Sequence, residues 1–282
     1  MPELPEVETI KRGLSKFILK KKLTKTTILC AKSFIGTPVT GTVKAIRRYG
    51  KALIIDLDNG KSLMIHLRMT GQLIYDGKER YAAGHPSDNF TDKLPNKQTR
   101  VILEFGSDPL YFNDQRKFGF IKVIDTDKVE DDVFIKKLAK EPWQMTADEL
   151  YEKLQKHKNS PIKATILDQT IICGLGNIYA DEALFASKIH PETESGLITK
   201  KEAELLLKSA RDVMEKSIES GGSTMATYVR ADGTKGDYLE KFAKIFRHEG
   251  KPCVNCGEKV VKIRVAGRGT HICPNCQRRK DD

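Results

Sequence analysis

The chain has 282 residues, enough for two domains with cores of their own, and its 39% apolar and 31% charged residues match an ordinary soluble globular protein. No apolar run is long enough to span a bilayer and no secretory h-region is read near Met1, so a membrane-embedded or exported class is not expected. Lys and Arg total 49 against 38 Asp and Glu, a net +11 that suits a polyanionic partner, whether nucleic acid or an anionic membrane surface; a merely solvated basic surface is the alternative.

The chain opens MPELPEVET, with prolines at 2 and 5 among Glu3, Glu6 and Glu8. In VETIKRGLSKFILK, Val7, Ile10, Leu14, Phe17 and Ile18 share one face, which predicts an amphipathic helix with Pro5 in its first turn. From Thr26 to about Ile124 the pattern turns to strands: TTILCA, GTVKAI, ALIIDLD, SLMIHLRM, TRVILEF and FIKVI, punctuated by Gly, Asn and Asp as in a β-sandwich or barrel. GKERYAAGHPSDNFTDKLPNKQ reads as a long polar surface loop. The charged DTDKVEDD marks the expected boundary between a 1–127 domain and a helical 128–244 domain. Helical patterns follow in VFIKKLA, TADELYEKLQKH, SPIKATILDQ, NIYADEALFASK and TKKEAELLLKSARDVMEKSIES. GGSTMATYVRADGTKGDYLEK, rich in glycine and polar residues, reads as a mobile loop, and 245–282 as a small separate unit.

That last unit carries the sharpest chemical signal. Cys253-Val-Asn-Cys256 and Cys273-Pro-Asn-Cys276 flank sixteen residues (257–272). Four thiolates on two tight turns satisfy tetrahedral zinc and leave no open position, so one structural Zn2+ is expected. Between the pairs, KVVKIRV and THIC predict a hairpin with Arg268 near its tip, suited to phosphate, or alternatively a zinc unit for protein contacts. Cys30 and Cys173 are isolated in apolar surroundings and read as buried thiols, and an intracellular reducing compartment is the default. Other segments are weak alone. RRYGKALII sets Arg47, Arg48 and Lys51 at a turn that on its own reads as solvated, and SLMIHLRM puts His66 and Arg68 on the less apolar strand face. GLGN precedes a helix as an ordinary capping loop or a phosphate cradle.

In order along the chain, MPELPEVET, YGKALI, HLRMTG, DQRKFG, IKATILDQ, GLGNIYADEALF, GGST and CVNC–AGRGTH–CPNC resemble the formamidopyrimidine-DNA glycosylase family, which removes oxidised purines. Endonuclease VIII-type relatives, acting on oxidised pyrimidines, usually begin Pro-Glu-Gly-Pro instead of Pro2-Glu3-Leu4-Pro5. The resemblance implies an α+β fold: an N-terminal helix with a β-sandwich, a helical domain with a helix–two-turn–helix motif, and a zinc-finger hairpin. It implies damaged double-stranded DNA as partner, bound in a basic cleft between domains, and a monomeric, cytoplasmic, nucleoid-associated bacterial protein.

By the same resemblance, removal of Met1 exposes Pro2 as the attacking amine and Glu3 transfers protons, with Lys51 and Arg268 completing the catalytic set. Glu6 holds the N-terminal geometry. Met69, Arg116 and Phe118 fill the space of the flipped nucleotide, while His66, Lys163, Asn177 and Arg268, with Lys51, bind the DNA backbone. Backbone amides of Thr224, Met225, Ala226, Thr227 and Tyr228 read the lesion. A glycosylase must take its base out of the stack because C1′ is inaccessible inside a duplex. The chain departs from the family pattern at Gln98-Thr99-Arg100 (often His-x-His), Phe246-Arg247-His248 (Tyr-Gly-Arg) and Ala139-Lys140-Glu141-Pro142 (Gly-Pro-Glu-Pro), which bears on affinity and lesion preference.

Overall fold

A computed structural model describes residues 2–84, 93–223 and 238–280. The chain forms two compact units, 1–136 with 218–238, and 137–217 with 239–282. The zinc-finger segment, set apart by its cysteines in the sequence, thus shares a unit with the helices.

The first unit begins with α1 (Leu4–Ile18), whose Val7, Ile10, Leu14 and Ile18 are buried, as their spacing requires. Phe17 is only partly buried and packs on the rings of Tyr75 and Tyr81, 5.0 and 5.5 Å between centroids. Gly13 permits this approach: a Cβ there would lie 2.1 Å from the Tyr81 hydroxyl oxygen.

Two sheets enclose the core. The first contains β1 (Lys22–Leu23), β4 (Gly41–Tyr49), β5 (Ala52–Leu57), β6 (Lys61–His66), β11 (Phe120–Asp125) and β3 (Phe34–Ile35), in that spatial order. The second contains β2 (Lys25–Ile28), β9 (Thr99–Phe105), β10 (Asp108–Asp114), β7 (Gly71–Asp76) and β8 (Arg80–Gly84). Leu53, Ile55, Leu63 and Ile65 from one sheet, and Leu73, Val101, Leu103 and Phe112 from the other, share a single core with α1. The alternation of β9 is clean, with Thr99, Val101, Leu103 and Phe105 inward. Part of the stretch expected to be loop is strand, since Arg80–Gly84 pairs with β7.

Two chain crossings at one end of the sandwich position the site. The chain leaves β6 for β7 through residues 67–70, and leaves β10 for β11 through residues 115–119. Asp114 pairs with Gly71 and Phe120 with His66, so the feet of the two crossings are fixed side by side by sheet register.

α2 (Val133–Lys136) ends the first stretch of the first unit; after it come α3 (Ala147–Lys156), α4 (Ile162–Leu167), α5 (Asn177–Ala186) and α6 (Lys200–Glu219), which build the second unit, then α7 (Tyr238–Lys241), which the boundary at 238/239 divides. Thr146 caps α3 by accepting from the Glu149 N–H, while Glu149 accepts in return from the Thr146 N–H. The hairpin β12 (Val261–Val265) and β13 (Arg268–Ile272) completes it, closed by Ala266 and Gly267 at φ 46° and 79°. Positive φ at both central residues is the geometry of a two-residue hairpin turn. Among the described residues no helix is long and apolar enough to cross a membrane.

Candidate active site and nucleic-acid interface

The start of α1 is held by one carboxylate. Glu6 Oε2 accepts from the Glu3 N–H at 2.8 Å, and Glu6 Oε1 accepts from both the N–H and the hydroxyl of Ser223, each at 2.8 Å. Glu6 therefore ties the N-terminal segment to the Gly221–Gly222–Ser223 stretch, 217 positions away in sequence. Pro2 is buried, and Glu3 is 3% exposed. Both precede the helix, where unsatisfied N–H groups and the macrodipole give positive potential.

Lys51 lies in the two-residue turn between β4 and β5, closed by the Tyr49–Ala52 pair. Arg48 braces that turn: its Nε donates to Glu8 of α1 at 3.0 Å and its Nη1 to the carbonyl of Gly50 at 3.0 Å. Glu8 also meets Lys11 and Arg12. Burial pushes its carboxyl up, but these three cations outweigh it and hold the pKa at about 2. Arg47 is paired as well, gripping Asp56 at 2.6 and 2.9 Å. Arg47 and Arg48, two of the cations that the sequence groups at this turn, thus have carboxylate partners within the fold.

His66 at the end of β6 is buried. Burial first, then the charges of Arg68 and Lys51, lower its pKa to about 3, so the ring is neutral at pH 7. Its Nδ1 accepts from the Arg68 N–H at 3.0 Å, which leaves Nε2 as the protonated nitrogen. A neutral N–H donor results.

On the two crossings, Met69 is 41% and Phe118 54% exposed. The Arg116 guanidinium lies 4.8 Å from the Phe118 ring centroid. The Arg116 N–H donates to the Thr70 hydroxyl at 3.0 Å, so the Met69 turn and the Arg116–Phe118 loop touch.

In the second unit, Asn177 begins α5 and donates from Nδ2 to the Gly269 carbonyl at 3.0 Å, directly beside Arg268, which is exposed. Lys163 departs from its expected place. Its side chain is 1% exposed and its ammonium donates to Asp181 at 2.6 Å, to the Thr270 hydroxyl at 2.7 Å and to the Gly269 carbonyl at 3.3 Å. Three acceptors inside the fold saturate its three donors, so it supports the Arg268 hairpin and does not itself present charge to a phosphate. Asp181 Oδ2 meanwhile accepts from the His271 N–H at 3.0 Å. Its neighbour Glu182, buried, accepts from the N–H groups of Lys244, Ile245 and Phe246, the chain entering the cysteine module. Sequence reasoning missed both of these carboxylates.

The sulfurs of Cys253, Cys256, Cys273 and Cys276 lie within 4.8 Å of one another. Separations of 3.4 Å (Cys256–Cys273) and 3.9 Å (Cys253–Cys276) match the roughly 3.8 Å edge of a tetrahedron with Zn–S bonds of about 2.3 Å. Amides of Asn255 and Cys276 point at the sulfurs of Cys253 and Cys273, both at 3.4 Å, and help hold thiolate charge. The donor set fits structural zinc. Thr224–Tyr228, the residues expected to read the lesion, lie outside the described residues.

Comparison with known proteins agrees along the chain. Residues 1–121 match the formamidopyrimidine-DNA glycosylase N-terminal domain, 138–229 the H2TH domain of the same enzymes, and 250–279 the zinc finger found in FPG and IleRS. The formamidopyrimidine-DNA glycosylase of Desulfitobacterium hafniense is 37% identical over 98% of this chain and all of its own length. That of Exiguobacterium sibiricum is 38% identical over 98% and 99%.

This chain belongs to the formamidopyrimidine-DNA glycosylase family. Among solved structures, the Lactococcus lactis family member in complex with abasic-site DNA aligns over 99% of this chain and 100% of its own, at TM-score 0.86 and 33% identity. The LlFpg complex with a THF-DNA and an inhibitor gives 0.87 and 34% over the same shares. The family's zinc finger accounts for the four-cysteine cluster as one structural zinc site. At two of the positions expected to depart from the family pattern, Arg100 donates from Nε to the Asp114 carbonyl at 2.7 Å, and Phe246 meets the His271 ring edge-on at 5.1 Å.

Proposed function

We propose that this chain excises oxidised purines (8-oxoguanine and formamidopyrimidines) from duplex DNA and then cleaves the resulting abasic site. Its relatives are glycosylases by name, and its structural neighbours hold damaged or abasic DNA. The observation that carries the reading is the grip of Glu6 on the Glu3 N–H, which fixes the residue following Pro2 at the positive end of α1.

Once Met1 is removed, Pro2 offers a secondary amine. An α-amino group titrates at roughly 7.7–8.0, so a useful fraction is neutral near pH 7, and the helix end disfavours the ammonium further. The amine attacks C1′; the bond to the base breaks, and the base leaves with the electron pair and gains a proton. Glu3, shielded from bulk water, moves protons at the sugar. Opening the sugar to an iminium acidifies the C2′ proton. Its removal expels the 3′ phosphate, a second elimination expels the 5′ phosphate, and water releases Pro2, leaving phosphates on both sides of a one-nucleotide gap. Lys51, neutral His66, Asn177 and Arg268 bind backbone phosphates, and Met69, Arg116 and Phe118 occupy the vacated stack. Zinc takes no part in bond making; it holds the hairpin.

Borohydride trapping on a lesion duplex, followed by peptide mapping, tests the proposal. The expected adduct is at Pro2, weakened in Pro2→Gly. Glu3→Gln should lose base excision from intact lesion nucleotides while retaining DNA binding. An adduct at an internal lysine with none at Pro2 would overturn it.

A further inference from the structure

We infer that Asp114 is the positioning residue that locks the Met69 turn and the Arg116–Phe118 loop into one rigid wedge, so that they enter DNA as a preformed unit. The inference rests on the proposed role of those three side chains and concerns how they are held.

Asp114 is the last residue of β10 and is 0% exposed. Its Oδ1 accepts from the Thr70 hydroxyl on the first crossing and from the Arg116 N–H on the second, at 3.1 Å in the latter case. Its Oδ2 accepts from the Gly119 N–H at 2.7 Å, at the far end of the second crossing. One carboxylate thus spans both crossings, and both ends of the longer one. The Thr70 hydroxyl closes the triangle by accepting from the Arg116 N–H.

The backbone of Asp114 is held from behind. Its N–H donates to the Gln98 carbonyl at 2.9 Å, and its carbonyl accepts from Arg100 Nε at 2.7 Å. Of these two supports only the Arg100 guanidinium is a side chain; Gln98 contributes its main-chain carbonyl. Gly119 lets the loop close: a Cβ there would stand 2.8 Å from Phe112 Cζ and 3.2 Å from Asp114 Oδ2. The apolar tips Met69 and Phe118 remain exposed above this buried anchor.

The physical consequence is preorganisation. Loops that carry wedges but are free to move would lose their conformational freedom on entering the stack, opposing insertion. A buried carboxylate with both oxygens engaged removes that freedom beforehand. It must be a carboxylate, because the three donors face both oxygens; an Asn amide would turn an NH2 group towards a donor on one side.

The test compares Asp114→Asn, Thr70→Val and Phe118→Ala with wild-type protein by two readouts. One is fluorescence of 2-aminopurine placed opposite the lesion, which reports wedge insertion without chemistry. The other is the ratio of excision rate at an intact lesion to cleavage rate at a preformed abasic site. Displacing positioning groups by about 1 Å can lower a rate by about a hundredfold. Asp114→Asn should therefore weaken the fluorescence response and lower the ratio by roughly tenfold to a hundredfold, following Phe118→Ala, with zinc content unchanged. Thr70→Val, which loses one donor, should shift both readouts in the same direction and decides the matter if Asp114→Asn does not fold. Wild-type excision reports on the proposed function; the change of ratio between variants reports on Asp114. Folded variants that keep the wild-type fluorescence and ratio, or that lose both reactions equally, would overturn the inference.

Discussion

The Nζ of Lys163 lies 2.6 Å from Oδ1 of Asp181, and both side chains are almost wholly shielded from water. Taking two charges out of water is expensive, and the pair holds because each partner is otherwise satisfied: Lys163 by Thr270 and Gly269, Asp181 by the backbone of His271. Every one of those contacts lands on β13, the strand that begins with Arg268. The pair's stability and the hairpin's position are therefore one property.

Removing one partner leaves a buried charge without compensation, at about 3–5 kcal/mol. Lys163→Met, which keeps the apolar stem, should lower the thermal midpoint of the second unit clearly. It should also weaken DNA binding through the hairpin, since the Lys163 ammonium is engaged inside the fold. Calorimetry and a DNA titration check this together; lost affinity with an unchanged thermal midpoint would mean that the ammonium does reach DNA.

A second expectation follows from neutral His66. Its folded pKa, about 3, is lowered from 6.5, so the unfolded chain binds the proton more readily. Stability from this group is fully present above pH 6.5 and is lost as pH falls from there towards 3, at about 1.4 kcal/mol per pH unit. His66→Gln keeps an N–H donor that cannot titrate, so its stability should fall less steeply between pH 6 and 4 (about two units) than that of the wild type. Parallel denaturant midpoints for the two proteins across that window would show that His66 already carries its proton in the fold.

What could be read beforehand depended on how local each determinant is. α1 follows from the spacing of Val7, Ile10, Leu14 and Ile18, and the zinc site from two Cys-x-x-Cys pairs, because helix periodicity and metal knuckles are short-range. β7 and β10 were not read as strands because each carries a core of only three consecutive apolar residues, Leu73–Tyr75 and Leu110–Phe112, closed by turn-forming Asp76 and by Asn113 and Asp114. β8 hid in a polar stretch with small residues. Asp114, Asp181 and Glu182 were illegible for a different reason: their roles depend on which distant N–H groups the fold brings to them. Lys163 reads as a phosphate ligand in sequence, and only its burial against Asp181 shows that its charge is spent inside the protein.

Loss of zinc should act through the same hairpin. Cys253 and Cys273 share a small core with Phe185, Ile245 and Val260, so the metal and the apolar contacts fix one another. Chelation or Cys273→Ser should release the hairpin and sharply reduce DNA affinity, with no effect on chemistry that needs a metal-bound water, since four thiolates leave no position for one. Metal analysis beside a binding titration is the check; zinc-free protein with full affinity would refute the role.

The last expectation separates two neighbouring cations on one hairpin. Each phosphate neutralised by a protein cation releases condensed counterions and adds roughly 0.9 to the slope of log affinity against log salt. Lys51→Ala should therefore weaken DNA binding and reduce that slope by about one. Arg47 stands four residues earlier, but its guanidinium is held in two bonds by Asp56 and a third by the Tyr49 hydroxyl. Its substitution by Ala should lower stability, because Asp56 loses its charged partner, while leaving the salt slope near that of the wild type. Binding isotherms at four or more salt concentrations give both slopes. If Arg47→Ala lowers the slope and Lys51→Ala does not, the assignment of the phosphate contact within this turn is reversed.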